Sequence, residues 1–170
     1  MLNFSGTSFS SKSFFMRIAI LYASVHHKNT EKLVKAIAEK HPEITLIDTT
    51  NALMISLVGY DLVGIASGIF YGKFHKSLYT FIAKNLPERL KVFLIYTCGK
   101  DDPNYAKGME QFLAQKNASV VGVYGCKGFD TFGPFKLVGG IQKGHPDADE
   151  IAAAVSFADQ MLEQNNTISI

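Results

Sequence analysis

The chain has 170 residues, 47% hydrophobic and 19% charged, with a formal net charge of +2 when its five histidines are neutral. That length and balance fit one compact domain and argue against disorder, since apolar burial offsets the entropy of ordering. The scattered basic residues, Arg17 to Lys143, form no dense run of the kind nucleic acid selects. No apolar stretch reaches the roughly 18–20 residues of a membrane span, and the two cysteines, Cys98 and Cys126, have neither zinc nor dithiol spacing.

Residues 1–15 are rich in serine, carry no continuous apolar core of a secretory signal, and read as a flexible N-terminal extension. With no export feature, a cytoplasmic location is the expectation. Residues 16–165 read as the domain and 166–170 as a tail. Arg17 to Ala23 predicts a strand, and Leu33, Val34, Ile37 and Ala38 form one stripe of a helix over Thr30 to Lys40. A second strand follows from Glu43 to Asp48, and Asn51 to Leu57 reads as a short helical or irregular bridge.

Asp61 to Ser67 and Lys91 to Thr97 are nearly continuous apolar runs, the pattern of parallel strands covered on both faces. Between them Phe74 to Leu86 predicts a crossover helix that Pro87 closes. Asp102-Pro103 is expected to open the next helix and Asn117 to end it; Ser119 to Gly125 is the fifth strand. A long loop rich in Gly, Phe and Lys leads to a last helix from Pro146-Asp147 to about Glu163. The alternation predicts an α/β fold, an open doubly wound parallel sheet of five strands with helices on both faces. In such a sheet a ligand sits beyond the carboxyl ends of the strands.

Four loops meet that requirement. Ser24-Val25-His26-His27-Lys28-Asn29-Thr30 offers hydroxyls and helix-start amides to a dianion; equally, Asn29 or Thr30 simply caps the helix. Ser67-Gly68-Ile69-Phe70-Tyr71-Gly72 sets glycines around an aromatic pair, suited to a planar ring or to packing under the next helix. Thr97-Cys98-Gly99 contains a cysteine that is either a small buried hydrophobe or, with less support, a nucleophile. The stretch from Gly125 to Pro146 is too long for a minimal connection, and its Phe129, Phe132 and Phe135 either screen a ligand or pin the loop.

The first loop resembles the flavodoxin family, in particular its divergent members reading Ser-Val-His-His-x-Asn-Thr before Glu-Lys, and the resemblance runs roughly from Arg17 to Gln164. It implies a flavodoxin-like strand order 2-1-3-4-5 and non-covalently bound flavin mononucleotide (FMN). The implied phosphate site falls on Ser24, His26, Asn29 and Thr30, with His27 and Lys28 beside it as further cofactor-binding candidates whose side chains can donate, and the ring site on Ser67 to Gly72 and Thr97 to Gly99. Lys28 stands where glycine is usual, which calls for an unusual backbone angle or a different loop geometry. The function implied is electron transfer with a redox partner protein or a small acceptor. An FMN-dependent NAD(P)H or quinone reductase and a cofactor-free scaffold on the same fold are the alternatives. A receiver domain is disfavoured, because the first and third strands end in Tyr22-Ala23-Ser24 and Ser67 where that fold needs carboxylates.

Overall fold

In a computed structural model, residues 16–52 and 54–166 are described. The extension expected at 1–15 and the tail from 167 lie outside them. The elements run β1 (Ile18–Ala23), α1 (Asn29–Lys40), β2 (Thr45–Asp48), β3 (Leu62–Gly68), α2 (Lys76–Asn85), β4 (Lys91–Cys98), α3 (Lys107–Ala114), β5 (Ser119–Lys127) and α4 (Ala148–Asn165). A 3-10 helix spans Gly133–Val138 between β5 and α4. The sheet has five parallel strands in the order β2-β1-β3-β4-β5, as the resemblance implies.

Alternation along the buried strands fills two cores at once. Ala19, Leu21, Val63, Ile65, Val92 and Leu94 face the side covered by α2 and α3, where Leu78, Ile82, Met109 and Leu113 pack. Ile18, Ile20, Leu62, Phe93 and Ile95 face the side of α1 and α4, against Leu33, Ile37, Ala158 and Met161. At the centre of this second face the Phe93 ring lies across Gly64. A Cβ on Gly64 would stand 2.6 Å from that ring and 2.9 Å from Ile20, so no larger residue fits without repacking.

One expectation about local structure is corrected. Helix α3 begins at Lys107 rather than at Asp102-Pro103. The Asp102 carboxylate accepts the backbone and side-chain N–H groups of Asn104, at 2.8 and 2.7 Å, and this local bonding favours a turn over a helix start. The helix ends at Ala114, and Asn117 adopts a left-handed φ of 55° after it. Ala118 N–H then reaches Leu113 O and Asn117 N–H reaches Ala114 O, a Schellman ending. The bridge after β2 is irregular in its described residues, because the Asp48 carboxylate accepts from Thr50 and Asn51 and folds the chain into a turn.

Helix α4 begins with a complete capping box, Asp147 accepting from Glu150 N–H and Glu150 from Asp147 N–H. His145 Nδ1 lies 2.7 Å from the same Glu150 carboxylate, so this His-Asp-Glu group is engaged in fixing the helix start. Among the described residues no helix is long and apolar enough to cross a membrane.

Candidate functional site

A cleft opens at the carboxyl ends of β1, β3, β4 and β5. Its walls include Ser24, His26, Asn29 and Thr30 from the first loop, and Gly68, Ile69 and Phe70 from the second. Thr97, Cys98 and Gly99 line the third side. The structure thus brings three of the loops expected from sequence to one place. Of the other candidates, Ser67 is fully buried outside the lining, and His27, Lys28, Tyr71 and Gly72 do not line it either.

The first loop reaches α1 through two consecutive left-handed residues, His27 at φ 53° and Lys28 at φ 54°. Each such conformation costs a side-chain-bearing residue about 1–3 kcal/mol, strain that persists only where surrounding contacts hold it. Lys28 therefore takes the unusual backbone angle rather than a different geometry. Its ammonium turns to Glu31, 3.6 Å away, and not to the cleft. Because Lys28 provides no side-chain cap, Ser24 does so from upstream, its hydroxyl accepting Glu31 N–H at 3.1 Å and keeping its own O–H free to donate. Thr30 and Thr97 hydroxyls pair at 2.9 Å and tie β4 to the start of α1.

Asn29 is the most informative residue here. It is over nine-tenths buried; its Nδ2 donates to Phe129 O at 2.8 Å, and its Oδ1 has no partner. A buried amide oxygen left unsatisfied costs about 1–3 kcal/mol, and such groups cluster where a ligand or water completes them.

The second loop is a two-residue hairpin. Phe70 and Lys73 exchange both backbone hydrogen bonds, and Tyr71 and Gly72 carry φ of 50° and 76°, as a type I′ turn requires. Phe70 faces the cleft, its ring 5.8 Å from His26 and 5.1 Å from His75, while Tyr71 points outward. Ser67 is fully buried and committed to the fold: its hydroxyl donates to Gly68 O and accepts His75 N–H.

His75 caps α2, its Nδ1 accepting Ser77 N–H. Burial first, then Lys76 and His26, hold its pKa below the ordinary 6.5. The folded state thus binds this proton less readily than the unfolded chain, so stability should fall as pH drops through 6.5 toward the lower folded value. Thermal melts from neutral to mildly acidic pH should show that fall, and His75→Asn, which retains a cap acceptor, should flatten it. Asp159, whose carboxyl is held low by a hydrogen bond from Lys40, loses its contribution only at more acidic pH.

The third loop carries Cys98, whose thiol is pushed up to about 12 by burial and then by Asp101 and Asp130. It stays protonated and behaves as a small hydrophobe, donating weakly to Cys126 O. Gly99 has no space for a side chain, since an added Cβ would lie 2.6 Å from Asp130 Cβ.

The fourth loop, residues 128–146, folds back over the cleft as a strap. Gly128, Phe129, Asp130 and Phe132 complete the lining. Val25, Gly128 and Asp130 were not singled out by sequence, although the length of the loop was the signal that it would matter. The strap closes on itself through paired backbone bonds between Asp130 and Ile141. It is pinned by Asn29 to Phe129 O, by His27 Nε2 to Thr131 Oγ1 at 2.8 Å, and by the His27 ring 4.3 Å from Phe129. Phe132 sets its edge against Tyr71 at 4.8 Å. Closed in this way the cleft encloses about 60 Å³. Pockets for cofactor-sized ligands start at about 300 Å³, so a ligand of that size would extend beyond the enclosed space or displace the strap.

Residues 19–128 match the family described as a flavodoxin domain. The chain belongs to the flavodoxin family. A full-length relative, 40% identical over 151 residues that cover 87% of this chain and 99% of its own, is an uncharacterised protein of Methanocaldococcus jannaschii. Among solved structures, a flavodoxin from the domain Archaea superposes with a TM-score of 0.65 at 11% identity, covering 88% of this chain and 99% of that one. The two-electron reduced flavodoxin of Megasphaera elsdenii gives 0.55 at 15% identity, covering 82% and 98%. A flavoprotein of Lactobacillus acidophilus solved in complex with FMN gives 0.51 at 18%, covering 65% and 93%. At these identities the structural likenesses carry the fold alone.

Proposed function

We propose that this flavodoxin-family chain binds FMN in the cleft and serves as a redox protein, passing electrons through the non-covalently held flavin. The observation that carries the reading is the start of α1: a strained loop, two hydroxyls, the first amides of the helix and a buried Asn29 with an unsatisfied oxygen converge on one small polar space. Ser24, Thr30 and the first amides of α1 would hold the phosphate. Asn29 Oδ1, an acceptor, suits a ribityl hydroxyl rather than a phosphate oxygen. Phe70, Ile69 and Gly99 would flank the ring, with Phe129 and Phe132 of the strap excluding water.

When bound, FMN supplies one- and two-electron redox chemistry, and the protein's part is to orient it and tune its potential. The neutral Cys98 thiol fits that division, since it adds no charge beside the ring. Purified protein should carry visible flavin absorption or take up FMN saturably with a rise in melting temperature. A colourless protein that neither binds added FMN nor is stabilised by it would overturn the reading.

A further inference from the structure

We infer that the mouth of the cleft is a docking surface for an anionic phospholipid bilayer. The 3-10 helix Gly133–Val138 forms the tip of the strap, and its last two residues, Leu137 and Val138, are 90% and 72% exposed. Adjacent apolar side chains left this exposed belong to no core, and together with neighbouring exposed rings they form the kind of contiguous apolar patch that marks an interaction site. Tyr71, 84% exposed, and Phe132, 49% exposed, stand beside the tip and touch each other, joining the second loop to the strap.

Charge around these groups is predominantly positive; the one carboxylate of the strap, Asp130, accepts Phe132 N–H at 2.8 Å. From Ile69 to Lys76 and from Thr131 to Pro146 the sequence contains Lys73, Lys76, Lys136 and Lys143 and no carboxylate. All four lysines are exposed, and none forms an ion pair among the described residues. The Lys143 ammonium sits near Gly139, directly behind the tip.

A convex tip of aliphatic side chains, with aromatic rings beside it and lysines around it, is built to enter the headgroup region. There the chains bury in the acyl boundary, tyrosine sits at the polar level and lysine meets phosphate. An acidic protein partner would instead need a preformed pocket for Leu137 and Val138, whereas a bilayer deforms to accept them. The inference does not depend on the flavin reading, and its test uses no flavin signal.

The full chain is sedimented at low salt with vesicles of phosphatidylcholine alone or mixed equally with phosphatidylglycerol. Binding to the mixed vesicles is expected to exceed that to the neutral ones by at least about tenfold. The double variant Leu137→Glu with Val138→Glu lies on exposed positions and should keep the parent's circular dichroism and melting temperature. It should lose about tenfold or more of the binding. Wild-type protein remaining in the supernatant with anionic vesicles would overturn the proposal. So would a Leu137→Glu with Val138→Glu variant that sediments like wild type, since the apolar tip would then take no part in the binding.

Discussion

Asn29→Asp is expected to weaken FMN binding about a hundredfold or more while leaving the fold intact. The substitution is nearly isosteric, and a carboxylate at the first turn of a helix is favourable for the helix itself. Toward the ligand it acts oppositely. A carboxylate near a phosphate dianion, at an effective dielectric of about 20, meets a repulsion of about 4 kcal/mol at 4 Å, and a hundredfold change in dissociation constant needs about 2.7 kcal/mol. Riboflavin, which lacks the phosphate, should lose far less. Flavin-fluorescence titrations with both compounds separate the cases: equal losses would move Asn29 away from the phosphate end. The same variant loses the donor to Phe129 O. Amide exchange at residues 129–141 should therefore quicken in flavin-free protein, a readout that requires no cofactor.

The second large effect lies in the sheet. Phe93 is fully buried, with its ring over Gly64 and edge-on to Phe157 at 5.9 Å. Phe93→Ala is expected to cost about 3–5 kcal/mol through lost burial and a residual cavity. Gly64→Ala should cost about 1–3 kcal/mol for the opposite reason, forcing a methyl group into space the ring already fills. The two positions share that space, so Gly64→Ala combined with Phe93→Leu should be less destabilising than the sum of its parts by at least about 0.5 kcal/mol. Urea unfolding at constant m-value measures each term, and strict additivity would show that the glycine is not there for the ring.

Much of this architecture is legible before any coordinates. The apolar runs Leu62 to Ala66 and Val92 to Ile95 announce strands covered on both sides, and the stripe Leu33, Val34 and Ile37 announces the face of α1. These signals depend on residue periodicity, which burial imposes directly on sequence. The start of α3 is not legible in that way. Pro103 suits a first helical turn, but the Asp102 side chain captures the nearby N–H groups and delays the helix to Lys107. Such local competition depends on side-chain geometry and leaves no periodic trace.

The loops of the site were likewise legible as loops, because polar, glycine-rich segments after parallel strands can go nowhere but the carboxyl end of the sheet. Their division of labour was not. Ser67 and Phe70 belong to one segment, yet one hydroxyl is consumed by the turn to His75 while the ring lines the cleft. Tyr71 next to it turns outward, because the type I′ hairpin reverses the chain at that residue.

The sequence by itself therefore determined the α/β class, the strand count and the loops where chemistry concentrates, since each follows from the period and spacing of apolar and turn-forming residues. Only tertiary structure decided that Lys28 turns away from the cleft, that Asn29 keeps a buried oxygen unpaired, and that the strap lies closed on both Asn29 and His27. The last two rest on contacts between residues about a hundred positions apart, 100 for Asn29 with Phe129 and 104 for His27 with Thr131. Local propensity has no term for such pairs, and the folded sheet brings them together.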